Sequence, residues 1–259
     1  MDAYKKLPEP LPLMSLRVTP FLSYRHACAC VEGLIESGQK AYSVAINPEK
    51  IYKAEHDREL AELINGAQVC ICDGIGAALA FRVLYGRSLK RITGVALFFE
   101  LVKKAAEKGW KIYLLGASPE SNQGAYDALL AKYPGLSIVG RHDGYFEDSD
   151  RVIEDINRSA ADILFLAMGS PKQEQWIAEN RDKINAAFCM GVGGTFDVVS
   201  GKVKWAPAIC RKTGTEWLYR LVSEPKRWRR QLALPKFLWL LFQYKLAGKC
   251  RCVHDGEGK

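Results

Sequence analysis

Several side chains suited to chemistry each stand at the end of an apolar run. Asn47 ends "YSVAIN", Asp73 ends "QVCICD" and Gly116 ends "KIYLLG". Gly169-Ser170-Pro171-Lys172-Gln173 follows "DILFLAM", and Gly193-Gly194-Thr195 follows "AAFCMGV", with Asp197 close behind. An apolar run that delivers one carboxylate, Asp73, with no basic neighbour in sequence suits proton abstraction. A Gly-rich turn lets backbone N–H groups approach a phosphate. Arg91, just before Thr93-Gly94 and a long amphipathic segment, puts a guanidinium beside a helix N-terminus, a place for a diphosphate clamp. Each has a plainer reading. Asp73 could cap the next helix, Asn47 could be a turn residue before Pro48, and Gln173 could be helix-surface polarity. Gly193-Gly194 could be a tight turn and Arg91 a surface charge. Taken together they point to a substrate with both phosphate and hydroxyl groups.

The positioning elements follow from the alternation of the chain. Strands are predicted at 42–47, 68–73, 111–116, within "LSIVGRHDGYF", at 162–169 and at 186–194, with helical stretches between them. Ser118 and Pro119 read as the N-cap and first position of one such helix. The strands are apolar almost throughout rather than alternating, the mark of strands covered on both faces. This predicts an α/β, doubly wound, mostly parallel sheet. Ligands of such sheets bind outside the carboxyl ends of the strands, where Asn47, Asp73, Gly169–Gln173 and Gly193–Thr195 stand. Gln173 is expected to face the same crevice as Asp73 and Asn47. Residues 1–14, Pro-rich, are expected to be an irregular lead-in.

The 259 residues, 48% hydrophobic, suit one large domain or a domain plus an appendage. No signal-peptide pattern opens the chain, and no apolar segment reaches the roughly 20 residues that span a bilayer, so a cytoplasmic protein is expected. The eight cysteines include Cys28/Cys30, Cys70/Cys72 and Cys250/Cys252. C-x-C is not the usual zinc spacing, and buried reduced thiols are expected for the strand pair Cys70 and Cys72. The net charge of +8 is unevenly placed: residues 202–252 hold 13 Lys/Arg against Glu216 and Glu224 alone, a local +11. Strand–helix alternation also stops there. The division expected is a catalytic core over 1–201 and a basic, aromatic, helical appendage over 202–259, with an anionic partner. There is no G-x-x-x-x-G-K-[ST] and no G-x-G-x-x-G after the first strand, which excludes a P-loop NTPase and argues against a nicotinamide dehydrogenase. Asp148 and Asp150 in "EDSDR" form a D-x-D, as in metal–nucleotide sites, but they open a predicted helix, where acids suit the dipole. No metal and no cofactor are expected.

"AINPEK", "CDGIG", "RITG", "LLGASPE", "GYF", "MGSPKQE", "GVGGTFDVVSGKVKWAP" and "EWLYRLVSEPKRWRRQ", in this order, resemble the WecG/TagA/CpsF glycosyltransferase family from about residue 16 to 245. The resemblance implies transfer of a sugar, with inversion and without a metal, from a UDP-sugar to polyprenyl-diphosphate-linked N-acetylglucosamine on the cytoplasmic face of bacterial membranes. It implies Asp73 as general base, Asn47 near a sugar, and Arg91 and Gln173 in the site. Arg220, Arg227 and Arg230 are implied near the diphosphate and the membrane. Teichoic-acid members carry Thr two residues before the asparagine, where this chain has Ala45. "VAIN", "MGSPKQE" and "GVGGTFDV" are similar to the enterobacterial-antigen branch, which implies N-acetylmannosaminuronic acid ahead of N-acetylmannosamine as the donor sugar.

Two other classes compete. A nucleic-acid-binding protein would account for "RWRRQ" with Trp228 interleaved, and a Rossmann-type reductase for the core. "LALPKFLWLLFQYKL" (232–246) is too apolar for a nucleic-acid face and too interrupted for a membrane span. Trp, Phe and Leu beside a basic cluster describe a helix lying in a membrane interface. An oligomer contact or a core helix is the alternative. The partners expected are therefore the UDP-sugar, the lipid-linked acceptor and an anionic membrane surface, with no nucleic acid.

Overall fold

The computed structural model describes residues 3–224, 228 and 232–248. Its centre is a six-stranded, wholly parallel sheet. The strands are β3 (Ala41–Ile46), β4 (Val69–Cys72), β5 (Lys111–Gly116), β6 (Ser137–His142), β7 (Ile163–Ala167) and β8 (Phe188–Gly191), in the order β4-β3-β8-β7-β5-β6. The expected doubly wound α/β architecture is present.

Successive strand side chains point to opposite faces, and this divides the core in two. Tyr42, Val44, Ile46, Cys70, Cys72, Leu164 and Leu166 pack on one face. The helices there are α2 (Pro48–Ala54), α3 (Arg58–Asn65), α4 (Ile75–Tyr85), α7 (Ser149–Ser159) and α8 (Lys172–Asn180). Ala41, Val69, Ile71, Ile163 and Phe165 pack on the other, against α1 (Tyr24–Glu36), α5 (Gly94–Lys108), α6 (Pro119–Lys132) and α9 (Thr195–Val199). Burial on both faces is why the strands read as continuous apolar runs.

The lead-in is more ordered than expected. β1 (Leu11–Leu13) and β2 (Leu16–Val18) form an antiparallel hairpin, pinned because Leu13, Leu16 and Val18 are buried. Six alternating residues broken by Pro12 and a two-residue turn are too short a pattern to stand out in sequence. Cys28, Cys30, Cys70, Cys72 and Cys189 are free and buried. Burial pushes the Cys70 and Cys72 thiols up to about 11 and about 12, so these two are inert packing groups, as expected. Cys250 and Cys252 lie outside the described residues.

An electrostatic clamp aligns α1 with α5. Glu32 is buried, yet Lys104 (2.7 Å), Lys108 (2.7 Å) and Lys5 (3.0 Å) converge on it. Burial raises its pKa, but the three lysine hydrogen bonds outweigh that and hold it at about 2. The clamp joins the C-terminal parts of the two helices; at their starts, Thr93 N donates to Tyr24 Oη at 3.0 Å.

The described part of the basic segment past residue 202 packs on the core. Arg211, in α10 (Ala208–Thr213), lies 4.1 Å over the Trp205 ring, which stacks on Phe99 of α5 at 5.0 Å. The turn from α10 into α11 (Glu216–Ser223) rests on the start of α4. Helix α12 (Ala233–Leu246) lies on α2 and α4. Phe237 and Leu241, one turn apart, sink into the core, and Tyr244 Oη donates to Glu55 Oε2 at 2.6 Å. The opposite side of α12 leaves Leu238, Trp239, Phe242 and Leu246 exposed.

Candidate active site

Asp73 leaves β4 and enters the loop that starts α4. Its N–H donates to Ile46 O at 2.8 Å, holding it beside the end of β3. The loop is gripped from two sides. A Cβ on Gly76 would stand 2.3 Å from Pro48 Cγ, so only glycine lets α4 nest against the first turn of α2. A Cβ on Gly214, at φ +78°, would stand 2.8 Å from Ile75 Cδ1, so the α10–α11 turn presses on the same loop.

This packing sets the charge of Asp73. Burial pushes its carboxyl above the usual aspartate range. Arg220 of α11 opposes the shift most, followed by Lys50, a hydrogen bond from the Gly94 N–H, and Arg91. The result is a carboxylate more basic than an exposed aspartate, ringed by three cations and a helix N-terminus. Arg91 is tethered, since its guanidinium donates to Arg211 O. Ala45 lies close by, against the same Gly94 that borders Asp73 Oδ2.

Lys50 and Glu174 form a buried ion pair at 2.7 Å. Glu174 Oε1 also accepts from Gln173 Nε2 at 2.9 Å, and Gln173 Oε1 accepts from Gly193 N at 3.0 Å. Gln173 is only 4% exposed. It does not present its amide to the crevice as expected but wedges α8 against the end of β8, because a buried amide must find partners. The same bonds correct the expectation for the glycine turn. The Gly193 N–H is spent on Gln173, and the Thr195 N–H and hydroxyl both donate to Val192 O, at 3.2 and 2.6 Å. Gly193 and Thr195 therefore offer no free donor to a phosphate. Gly194 stands just before α9, a helix of five residues.

Asn47 caps α2, its Oδ1 accepting from Lys50 N at 2.9 Å, so the plainer reading describes this contact. Asp73, Arg91 and Arg220 come together as the sequence motifs imply. Arg227 and Arg230 lie outside the described residues. Asp148 caps α7 by accepting from Arg151 N, and Asp150 pairs with Lys183 at 2.7 Å. Lys50, Glu174 and Glu216 went unassigned in the sequence. Their only signal was membership of "NPEK", "PKQE" and "EWLYR", because the partners of each lie far away in the chain.

Next to Arg91 opens a cavity of about 580 Å³ lined by Tyr24, Arg91 and Thr93 from the core and by Arg211, Lys212 and Glu216 from the basic segment. Asp73 does not line it; Arg91 and Glu216, whose charges act on Asp73, connect the two. A partly buried base near a cationic cavity can take a hydroxyl proton while positive charge receives a developing anion. The family model described as "Glycosyl transferase WecG/TagA/CpsF family" matches residues 12–251 of the chain.

Removing one partner of a buried pair strands the other charge. Lys50→Met is expected to cost about 3–5 kcal/mol, read as a lower midpoint in urea unfolding. An unchanged midpoint would mean that the Lys50–Glu174 pair does not hold α2 to α8.

Proposed function

The chain belongs to the WecG/TagA/CpsF family, glycosyltransferases of cell-surface polysaccharide synthesis, and we propose that it moves N-acetylmannosaminuronic acid, or N-acetylmannosamine, from a UDP-sugar to polyprenyl-diphosphate-linked N-acetylglucosamine. The observation that carries this reading is the carboxyl of Asp73, raised by burial yet faced by Arg220, Lys50 and Arg91. In the step proposed, Asp73 accepts the proton of an acceptor hydroxyl. The hydroxyl oxygen attacks the anomeric carbon from the face opposite the leaving group, so the configuration inverts. The bond from that carbon to the diphosphate oxygen breaks, and UDP leaves with the electron pair. Arg91 and Arg220 receive the negative charge that develops there. This assigns the leaving-group stabilisation to side-chain cations rather than to the Gly193-Gly194 turn, and it requires no metal.

The acceptor's hydrocarbon chain cannot leave a bilayer cheaply, at about 0.8 kcal/mol per exposed CH₂, so the enzyme must come to the membrane. No helix of the described residues is long and apolar enough to cross one. The exposed Leu238, Trp239 and Phe242 of α12 and Val222 of α11, set among the cations of the basic segment, suit peripheral binding to an anionic leaflet on the cytoplasmic side.

Transfer is tested with a panel of UDP-N-acetylhexosamines and their uronates, a short-chain lipid-linked N-acetylglucosamine and product masses. A hexosamine or uronate adduct is expected, undiminished by excess EDTA. Asp73→Asn should lower turnover about 10²–10⁴-fold while retaining UDP binding. Near-normal turnover by that variant would remove Asp73 as the base, and loss with EDTA rescued by Mn²⁺ would reinstate a metal. Membrane binding is tested separately by sedimentation with anionic vesicles. The protein should pellet, and Trp239→Glu combined with Phe242→Glu should leave it in the supernatant. Equal pelleting of the double variant would move the membrane face elsewhere.

A further inference from the structure

The cavity next to Arg91 has an internal contradiction. Lys90, Arg91, Arg211 and Lys212 line it, the charge pattern of a site for a multivalent anion, yet Glu216 puts a carboxylate among them. Glu216 is the first residue of α11, partly buried, and no hydrogen bond is formed by its carboxylate among the described residues. The charges that act on it are those of Arg91, Arg220 and Arg211, which attract it, and of Asp73, which repels it. Burial raises its pKa, Asp73 adds to the rise, and the three arginines oppose it.

Three of these groups have fixed mounts. Arg211 is held by the Trp205–Phe99 stack and by the Arg91 guanidinium on its carbonyl. Arg91 is thereby fixed as well. Asp73 is fixed by its loop. Among the described residues the Glu216 carboxylate forms no hydrogen bond that would hold it in place. A diphosphate entering the cavity would meet Arg91 and Arg211, beside Lys90 and Lys212, and would be repelled by this carboxylate.

We propose that Glu216 is a placeholder counter-ion: it neutralises the Arg91–Arg211–Arg220 cluster until a substrate diphosphate takes over those cations and turns the carboxylate out. The transferase reading enters only in saying where the diphosphate comes from, the nucleotide donor or the lipid-linked acceptor. The device has two consequences. It keeps three guanidiniums together on adjoining elements without mutual repulsion. It also sets a threshold against monoanions, since a single charge gains little by replacing a carboxylate already present, whereas a diphosphate brings more charge than it displaces.

Calorimetric titration of the full chain with inorganic pyrophosphate, farnesyl diphosphate and UDP tests this. Glu216→Gln keeps the shape and removes the charge, and should bind pyrophosphate about 2–5-fold more tightly than the parent, the scale of one partly screened charge contact. Glu216→Asp should stay near the parent. Arg211→Met should bind more weakly, which reads the same site from the cation side. A gain for farnesyl diphosphate alone identifies the acceptor's diphosphate as the natural occupant, and a gain for UDP alone identifies the donor's. A structural role for Glu216 would produce no gain. Equal or weaker binding of all three ligands by Glu216→Gln, or no binding by any form, would overturn the proposal. Since binding rather than transfer is read, it can fail with the transferase reading intact. Conversely, a panel of UDP-sugars that yields no product would end that reading and leave the affinity difference standing.

Discussion

The partial burial of one carboxylate constrains the rest of this site. β4 is apolar on both faces, so the residue after its last position starts inside protein, and that residue is Asp73. An isolated charge there is costly, and the fold offsets that cost with positive groups from separate elements: Lys50 from α2, Arg91 from the loop before α5, the Gly94 N–H from the start of α5 and Arg220 from α11. They offset it only in part, and the carboxyl remains a stronger base than an exposed aspartate.

Much of the local packing serves to bring those groups in. Gly76 lets α2 and α4 touch, which places Lys50. Lys50 is in turn held by Glu174, and through Gln173 the same network reaches Gly193 at the end of β8. The Glu32 clamp joins the C-terminal parts of α1 and α5, and the Tyr24–Thr93 contact joins their starts beside Gly94. The basic segment contributes through the Gly214 turn and the Trp205–Arg211 stack, which set the α10–α11 region over Asp73. Arg220, the strongest opposing charge, therefore belongs to a segment that composition alone sets apart from the core.

The sheet was legible because burial on both faces writes itself into sequence. "KIYLLG" is β5 to the residue, and "QVCICD" overshoots β4 by one residue at each end. The β1–β2 hairpin was not, because its pattern is shorter than the noise of a Pro-rich stretch. Asp73, Arg91 and Arg220 could be grouped because strand ends and family motifs mark them. Gln173 and Gly193 depart from expectation for one reason. Sequence shows which groups stand at a strand end but not whether they satisfy one another, and here Gln173 consumes the N–H that Gly193 was expected to offer. Lys50 and Glu174, 124 residues apart, and Glu216 among arginines of three elements, have partners that only the folded chain supplies.

The measurement closest to the central claim is a carboxyl-carbon NMR titration of Asp73 in the parent protein and in Arg220→Gln. A partly buried carboxyl opposed by Arg220 should titrate above the ordinary 3.8 in the parent and higher still once the guanidinium is gone, because the charged form loses its main partner. A parent value at or below 3.8, or a value unmoved by Arg220→Gln, would contradict the account.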